Sequence, residues 1–313
     1  MALDTPPKIT SKRILGGKLE TTTGTAITLA ATDGVDYVTD PKITYNTEVI
    51  QIPPQAGFLG GKGTRTGKRS ATASWSTEIR GDGAAPPDWF KYMRACGMTL
   101  STATLTPLSA PADTVTIGCN VDGRFRRLIG GMGTWEMNLV AGMPGTIKFD
   151  FQGAQEALQD EAIWVPTFNT IIPPNVSAAA ITIFSATYVI PALTITANNN
   201  IILRNDVAAR DEDGVVTGIR AAFITGRRYQ VRISPEALPL STRNWKSVFD
   251  AGTTGALSVI IGTAANNIFT ITAAKLQLAE EPGESDRDGV MVDDLVFDCI
   301  ATAGDDELSI VNS

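Results

Sequence analysis

A mainly β chain of two similar domains in tandem, each carrying one short helix, is what this sequence predicts. Three observations carry that prediction. Several segments alternate apolar and polar residues with period two, as half-buried strands do. Asp122-Gly123 and Asn266-Asn267 stand between such segments, where hairpin turns favour Asn, Asp and Gly. Most informative, the chain echoes itself. Thr66 opens TGKRSATASWSTEI, which leads into PDWFKYMRACG; Thr225 opens TGRRYQVRISPEA, which leads into TRNWKSVFDAG. Each copy runs from Thr-Gly-basic-Arg through a strand to a Trp heading a short amphipathic helix, which stops at Gly97 or Gly252. A closing strand with a Phe-Asp pair follows in both, Phe149-Asp150 and Phe297-Asp298. A repeat of this size reads as two domains, 1–160 and 161–313, built on one plan.

The elements follow in order. LGGKLETTTGTAITLAATDG is a polar, Thr-rich N-terminal arm with a short strand at Ala26–Ala30. A strand starts at Lys42–Tyr45 and runs toward Ile52. Residues 46–66 form a long loop dense in Gly and Pro; Phe58 and Leu59 at its tip suit solvent poorly and point to contact with another subunit. Ser70–Arg80 alternates, with Ala71, Ala73, Trp75, Thr77 and Ile79 on one face. Pro86 and Pro87 lead into the first helix, Asp88 caps it or sits in its first turn, and Gly97 ends it. In the second copy Ser241 or Thr242 is the cap. Neither helix is long enough to stand alone, so Trp89 and Met93 in one, Trp245 and Phe249 in the other, must anchor it on a sheet.

Further along, Thr114–Asn120 pairs with Arg124–Ile129, and Trp135–Val140 with Thr146–Gln152. Residues 153–180 connect the domains. Ile181–Val189 and Leu193–Thr196 open the second, in which Leu257–Gly262 pairs with Ile268–Thr272. Ala274–Ala279 then pairs with Val290–Ile300 across an acidic loop, 280–288.

At 313 residues, 43% hydrophobic and 19% charged, the composition is that of a folded globular protein long enough for two cores. No apolar run reaches a membrane-spanning length, and MALDTPPKITSKR lacks the apolar stretch of a secretory signal, so cytoplasmic synthesis and assembly are expected. Cys96, Cys119 and Cys299 are widely spaced and read as buried free thiols. Histidine is absent altogether. Triads, zinc sites and most proton shuttles thereby lose their usual player, and the expectation is no enzyme, no cofactor and no metal. Residues 1–160 hold 16 Lys+Arg against 15 Asp+Glu, a net +1; residues 161–313 hold 10 against 18, a net −8. An acidic half argues against wrapping nucleic acid and suits a surface past which DNA slides.

Local motifs add little chemistry. Arg80-Gly81-Asp82 is explained by a turn between strand and helix, Asn175-Val176-Ser177 by a loop, and Asp211-Glu212-Asp213-Gly214 by a solvated turn without the later calcium-binding Glu. The basic triplet Arg124, Arg126 and Arg127 and the group Lys62, Arg65, Lys68 and Arg69 suit acidic faces on neighbouring subunits.

At TGKRSATASWSTEIRGDGAAPPDWFKYMRACGM and GTWEMNLVAGMPGTIKFDFQG, the sequence resembles major tail tube proteins of long-tailed (siphovirus-like) bacteriophages. The arm LGGKLETTTGTAITL and the ending GDDELSIVNS are similar to that group too. The resemblance implies tail-tube-type β-sandwich or half-barrel domains, each with a flanking helix. Subunits of such proteins join edge to edge into rings, and the rings stack into a tube that passes the genome at ejection. It gives the 46–66 loop an inter-ring role, with Ile52, Phe58, Leu59, Lys62 and Arg65 as contacts, and makes Arg124, Arg126 and Arg127 contacts between subunits. Single-module relatives form hexameric rings, so two modules per chain imply a trimer of pseudo-hexameric shape, with a true hexamer as the alternative. The implied partners are a tape-measure protein in the lumen, tail terminator and distal tail proteins, and DNA in passage without specific binding. The second copy lacks the Ala-Cys-Gly ending of the helix. Two rival readings are a tail terminator or baseplate ring of the same fold, and a carbohydrate-acting β enzyme with paired carboxylates.

Overall fold

A computed structural model describes residues 7–52, 63–83, 86–176 and 180–313. The first 160 residues contribute β1 (Arg13–Leu19), β2 (Thr39–Gln51), β3 (Thr64–Glu78), α1 (Phe90–Ala95), β4 (Met98–Ser101) and β5 (Thr104–Pro107). They continue with β6 (Val115–Val121), β7 (Arg124–Val140), β8 (Thr146–Gln155) and β9 (Gln159–Asp160). The remainder contributes β10 (Ala180–Ile183), β11 (Ala192–Thr196), β12 (Asn200–Asn205), β13 (Ile219–Gly226), β14 (Gln230–Ile233) and α2 (Trp245–Asp250). It ends with β15 (Gly255–Ile261), β16 (Phe269–Leu278), β17 (Gly283–Arg287), β18 (Val290–Cys299) and β19 (Ser309–Asn312). The protein is mainly β, and every strand pair is antiparallel.

The same ladder order occurs twice. In the first half the order is β1-β6-β7-β8-β3-β2. In the second it is β10-β15-β16-β18-β14-β11. The Phe-Asp pairs hold equivalent places: Phe149 lies opposite Trp75 and Trp135, and Phe297 opposite Val231 and Leu278. The first array curls until its end strands approach, and Arg13 on β1 donates to the Pro41 carbonyl on β2 at 3.2 Å.

The two arrays share one sheet and one core. The end of β7 pairs with β11, Glu136 opposite Thr196 and Val140 opposite Ala192. β19 returns to pair with β5 through Ile310 and Leu105. The hairpin β12–β13 lies across the outer face of β7 and β8, where Ile129, Ala154 and Met132 meet Ile219, Ala222 and Ile224. Gly130 permits that approach: its φ is +59°, and a Cβ there would sit 2.7 Å from Ala221. This second layer is why the middle of β7 is buried on both faces.

Inside, Trp75 stacks on Phe151 at 5.4 Å and meets the edge of Tyr92 from α1 at 4.9 Å. Burying one such ring contributes about 4–6 kcal/mol from 150–250 Å² of apolar area. α1 is capped by no side chain, so Asp88 does not act as an N-cap; α2 is capped by Asn244, whose carboxamide accepts from Ser247 N–H at 3.0 Å, rather than by Ser241 or Thr242. Gly97 and Gly252 end the helices at φ +86° and +60°.

Several sequence expectations are corrected. Ala26–Ala30 is not a strand; the arm's strand is β1, which shows no alternation because residues 14–17 are all buried. Residues 46–51 and 64–66 are strand rather than loop, since β2 and β3 stay paired to Gln51 and Thr64; 53–62 lie outside the described residues. Ile181–Val189 is cut short at Ile183 because Phe184 and Ser185 take positive φ. The acidic loop is half strand: β17 pairs with β18.

Candidate assembly surfaces

The long hairpin β2–β3 projects beyond the first array. Ile52 is half-buried at its end, its N–H directed at the Gly63 carbonyl at 3.4 Å, and Arg65 is exposed across from Ile50. Phe58, Leu59 and Lys62 lie outside the described residues. Val49 and Ile50, which sequence reasoning passed over, are 61% and 50% exposed on this hairpin. Together with Val207 and Val216 they leave apolar surface beside a groove of about 480 Å³ lined by Glu48, Thr66 and Lys68.

The basic triplet divides. Arg124 is exposed, and Arg126 lies 5.7 Å from the Tyr45 ring while donating to the Ile43 carbonyl at 3.3 Å. Arg127 is turned inward: it is buried and paired with Glu212 from the other half of the chain, so it is no subunit contact. Alternation along β7 puts neighbours on opposite faces, which is why Arg126 and Arg127 part company. Beside Arg127, the Glu156 carboxylate accepts from the N–H groups of Glu212 and Ala157 at 2.7 and 3.0 Å. Burial still pushes its pKa up, against those bonds and the nearby guanidinium. Tyr45 accepts from the Arg127 N–H, and burial raises its phenol to about 12.

The helix anchors face inward. Trp89 meets Phe90 edge-on at 4.5 Å and Phe269 of the other half at 5.7 Å, and its indole N–H donates to the Arg80 carbonyl. Met93 is fully buried. Trp245 packs among Phe184, Tyr188 and Phe297 under the Arg243 guanidinium. Phe249 is half-buried beneath Lys246.

Among the described residues no three His, Cys, Asp or Glu side chains gather where a metal ion would sit, and no helix is long and apolar enough to cross a membrane. The prominent surfaces are strand edges, projecting hairpins and charge.

A protein-family model described as phage tail tube protein matches residues 10–301. The chain belongs to the phage tail tube protein family. No curated protein matches it. It is thus a structural protein of a bacteriophage tail, and membership covers both halves rather than one. Membership implies self-assembly into a tube together with other tail proteins.

Proposed function

We propose that this tail tube protein closes with its own copies into rings, and that the rings stack into the conduit through which the genome is ejected. Each chain contributes two modules, 1–160 and 161–313, so three chains complete a pseudo-hexameric ring. The observation that supports this most is the repeated ladder order, together with the β7–β11 pairing that sets the two arrays side by side. A junction of this kind, repeated around an axis, closes a ring when the rotation at each joint is a sixth of a turn. The exposed β2–β3 hairpin, with Arg65 and the segment 53–62, suits contact with the next ring. The −8 charge of residues 161–313 supports a lumen that repels phosphate. Tape-measure, terminator and distal tail proteins are the partners, and assembly takes place in the host cytoplasm.

The test is negative-stain imaging with sedimentation of the purified chain across a concentration series. Rings of about 99 kDa, three times the 33.1 kDa chain, that lengthen into tubes are expected. A six-chain ring of about 199 kDa would overturn the trimer, closed rings that never stack would favour a terminator or baseplate role, and a monomer at every concentration would overturn the proposal.

A further inference from the structure

We infer that the joint between neighbouring copies is a strand addition: the hairpin β17–β18 of one copy enters the groove beside β2 of the next and pairs along Tyr37–Thr39. The inference rests on the ring proposed above and assigns its interface. The chain contains its own template for the joint. β11, last strand of the second array, is covered on its outer edge by Glu136–Val140 of β7. The turn beyond that stretch is held by the segment ahead of β10, with Val176 N–H donating to the Met143 carbonyl at 2.9 Å.

The strand equivalent to β11 in the first array is β2; among the described residues it pairs with no strand but β3, and on the side of β1 the Pro41 carbonyl accepts from Arg13. Between it and β1 lies a groove of about 630 Å³ with an apolar floor of Ile14, Leu15, Val35 and Val38. Tyr37 and Phe168 stand at its rim, 51% and 48% exposed. The stretch equivalent to Glu136–Val140 is β17. Ala279 donates to the Val296 carbonyl where Glu136 faces Lys148, a bulge follows at 280–282, and Gly283 takes the place of Asn138 opposite Asp294. β17 is paired on one edge only among the described residues. Its hairpin exposes Val290 and Met291, an apolar load with no cover within the chain.

Charge agrees with the pairing. Glu280, Glu281, Glu284 and Asp286 are exposed along the hairpin, whereas Arg13 and Asp40 line the groove and the exposed Lys12 and Lys42 adjoin its lining residues in sequence. Carrying over the Thr196–Glu136 register sets Thr39 opposite Gly283 and Tyr37 opposite Ser285. The contact is head to tail, with different surfaces on the two partners. It therefore propagates around an axis instead of stopping at a dimer.

The test uses the full chain with Thr39→Cys and Gly283→Cys together, assembled, mildly oxidised and run without reductant. The native cysteines are buried and give little background. Expected is a covalent ladder rising to the closed ring, while a mixture of the two single variants stops at dimers. Cross-linked dimers from Thr39→Cys alone, or assembled rings with no cross-link, would overturn the inference and leave the ring proposal standing; a monomer throughout would remove both. Hydrogen exchange of the unaltered chain gives a second measurement. Amides of 37–39 and 283–285 are expected to slow at least tenfold on assembly, and unchanged exchange there in formed rings overturns the inference.

Discussion

Replacing Trp89 with Ala tests whether the two halves stand or fall together. The indole is buried, touches Phe90 and the second half's Phe269, and bonds the Arg80 carbonyl. Truncating a large buried aromatic to Ala costs about 3–5 kcal/mol, and stranding the Arg80 carbonyl adds about 1 more. A total near 5 kcal/mol, over a urea dependence of about 3 kcal/mol per M, lowers the unfolding midpoint by about 1.7 M. Trp89→Phe keeps most of the ring but no donor and is expected to cost about 1–2 kcal/mol. Fluorescence of the four remaining tryptophans reports the transition. Because Phe269 begins β16, hydrogen exchange in β15 and β16 should quicken along with that of α1. A Trp89→Ala loss under about 1 kcal/mol, or acceleration confined to residues before 160, would refute the shared core.

Gly81→Ala is expected to be severe, about 3 kcal/mol or more in a melting experiment, since its Cβ would lie 1.9 Å from the Asn266 carbonyl oxygen. Gly142→Ala, at φ +80° with open space around it, should cost only about 1 kcal/mol. Burial raises the thiols of Cys119 and Cys299 to about 11 and 12 and that of Cys96 well above its ordinary value. A disulfide reagent at pH 8 should therefore find no reactive thiol in the native chain and three after denaturation. Burial also raises Tyr45 to about 12, with Tyr92 and Tyr229 shifted upward as well. The fold thus favours the neutral Tyr45 phenol, a contribution complete below pH 10 and lost as pH rises through about 12. Phenolate absorbance should show three of the five tyrosines ionising only as the fold opens, and all five titrating near pH 10 in folded protein would contradict this.

What the sequence made legible was local. Asp122-Gly123 announced its hairpin because both residues take positive φ, and Gly97 and Gly252 announced helix ends for the same reason. The Phe-Asp echo marked equivalent strands because those rings sit at equivalent places in the two ladders. Pairing between distant strands left no local trace. Nothing around Glu136–Val140 distinguishes β11 from any other partner, and Ile310 gives no hint of Leu105. Arg127 was misread because three arginines in a row of four residues look like one patch, until alternation and Glu212 separate them. The acidic hairpin hid its strand because β17 is exposed along nearly its whole length, so no apolar face disclosed it. Asn244 was passed over as a cap in favour of the hydroxyls preceding it.

The seam between β7 and β11 has a consequence for dilution. Val140 and Ala192 are joined by about fifty residues of the same polypeptide, so this joint forms at a local concentration fixed by chain length, on the order of millimolar, however few molecules are present. A joint between separate molecules has no such guarantee. As an assembly is thinned, it should come apart only into whole chains, each leaving with its own seam closed.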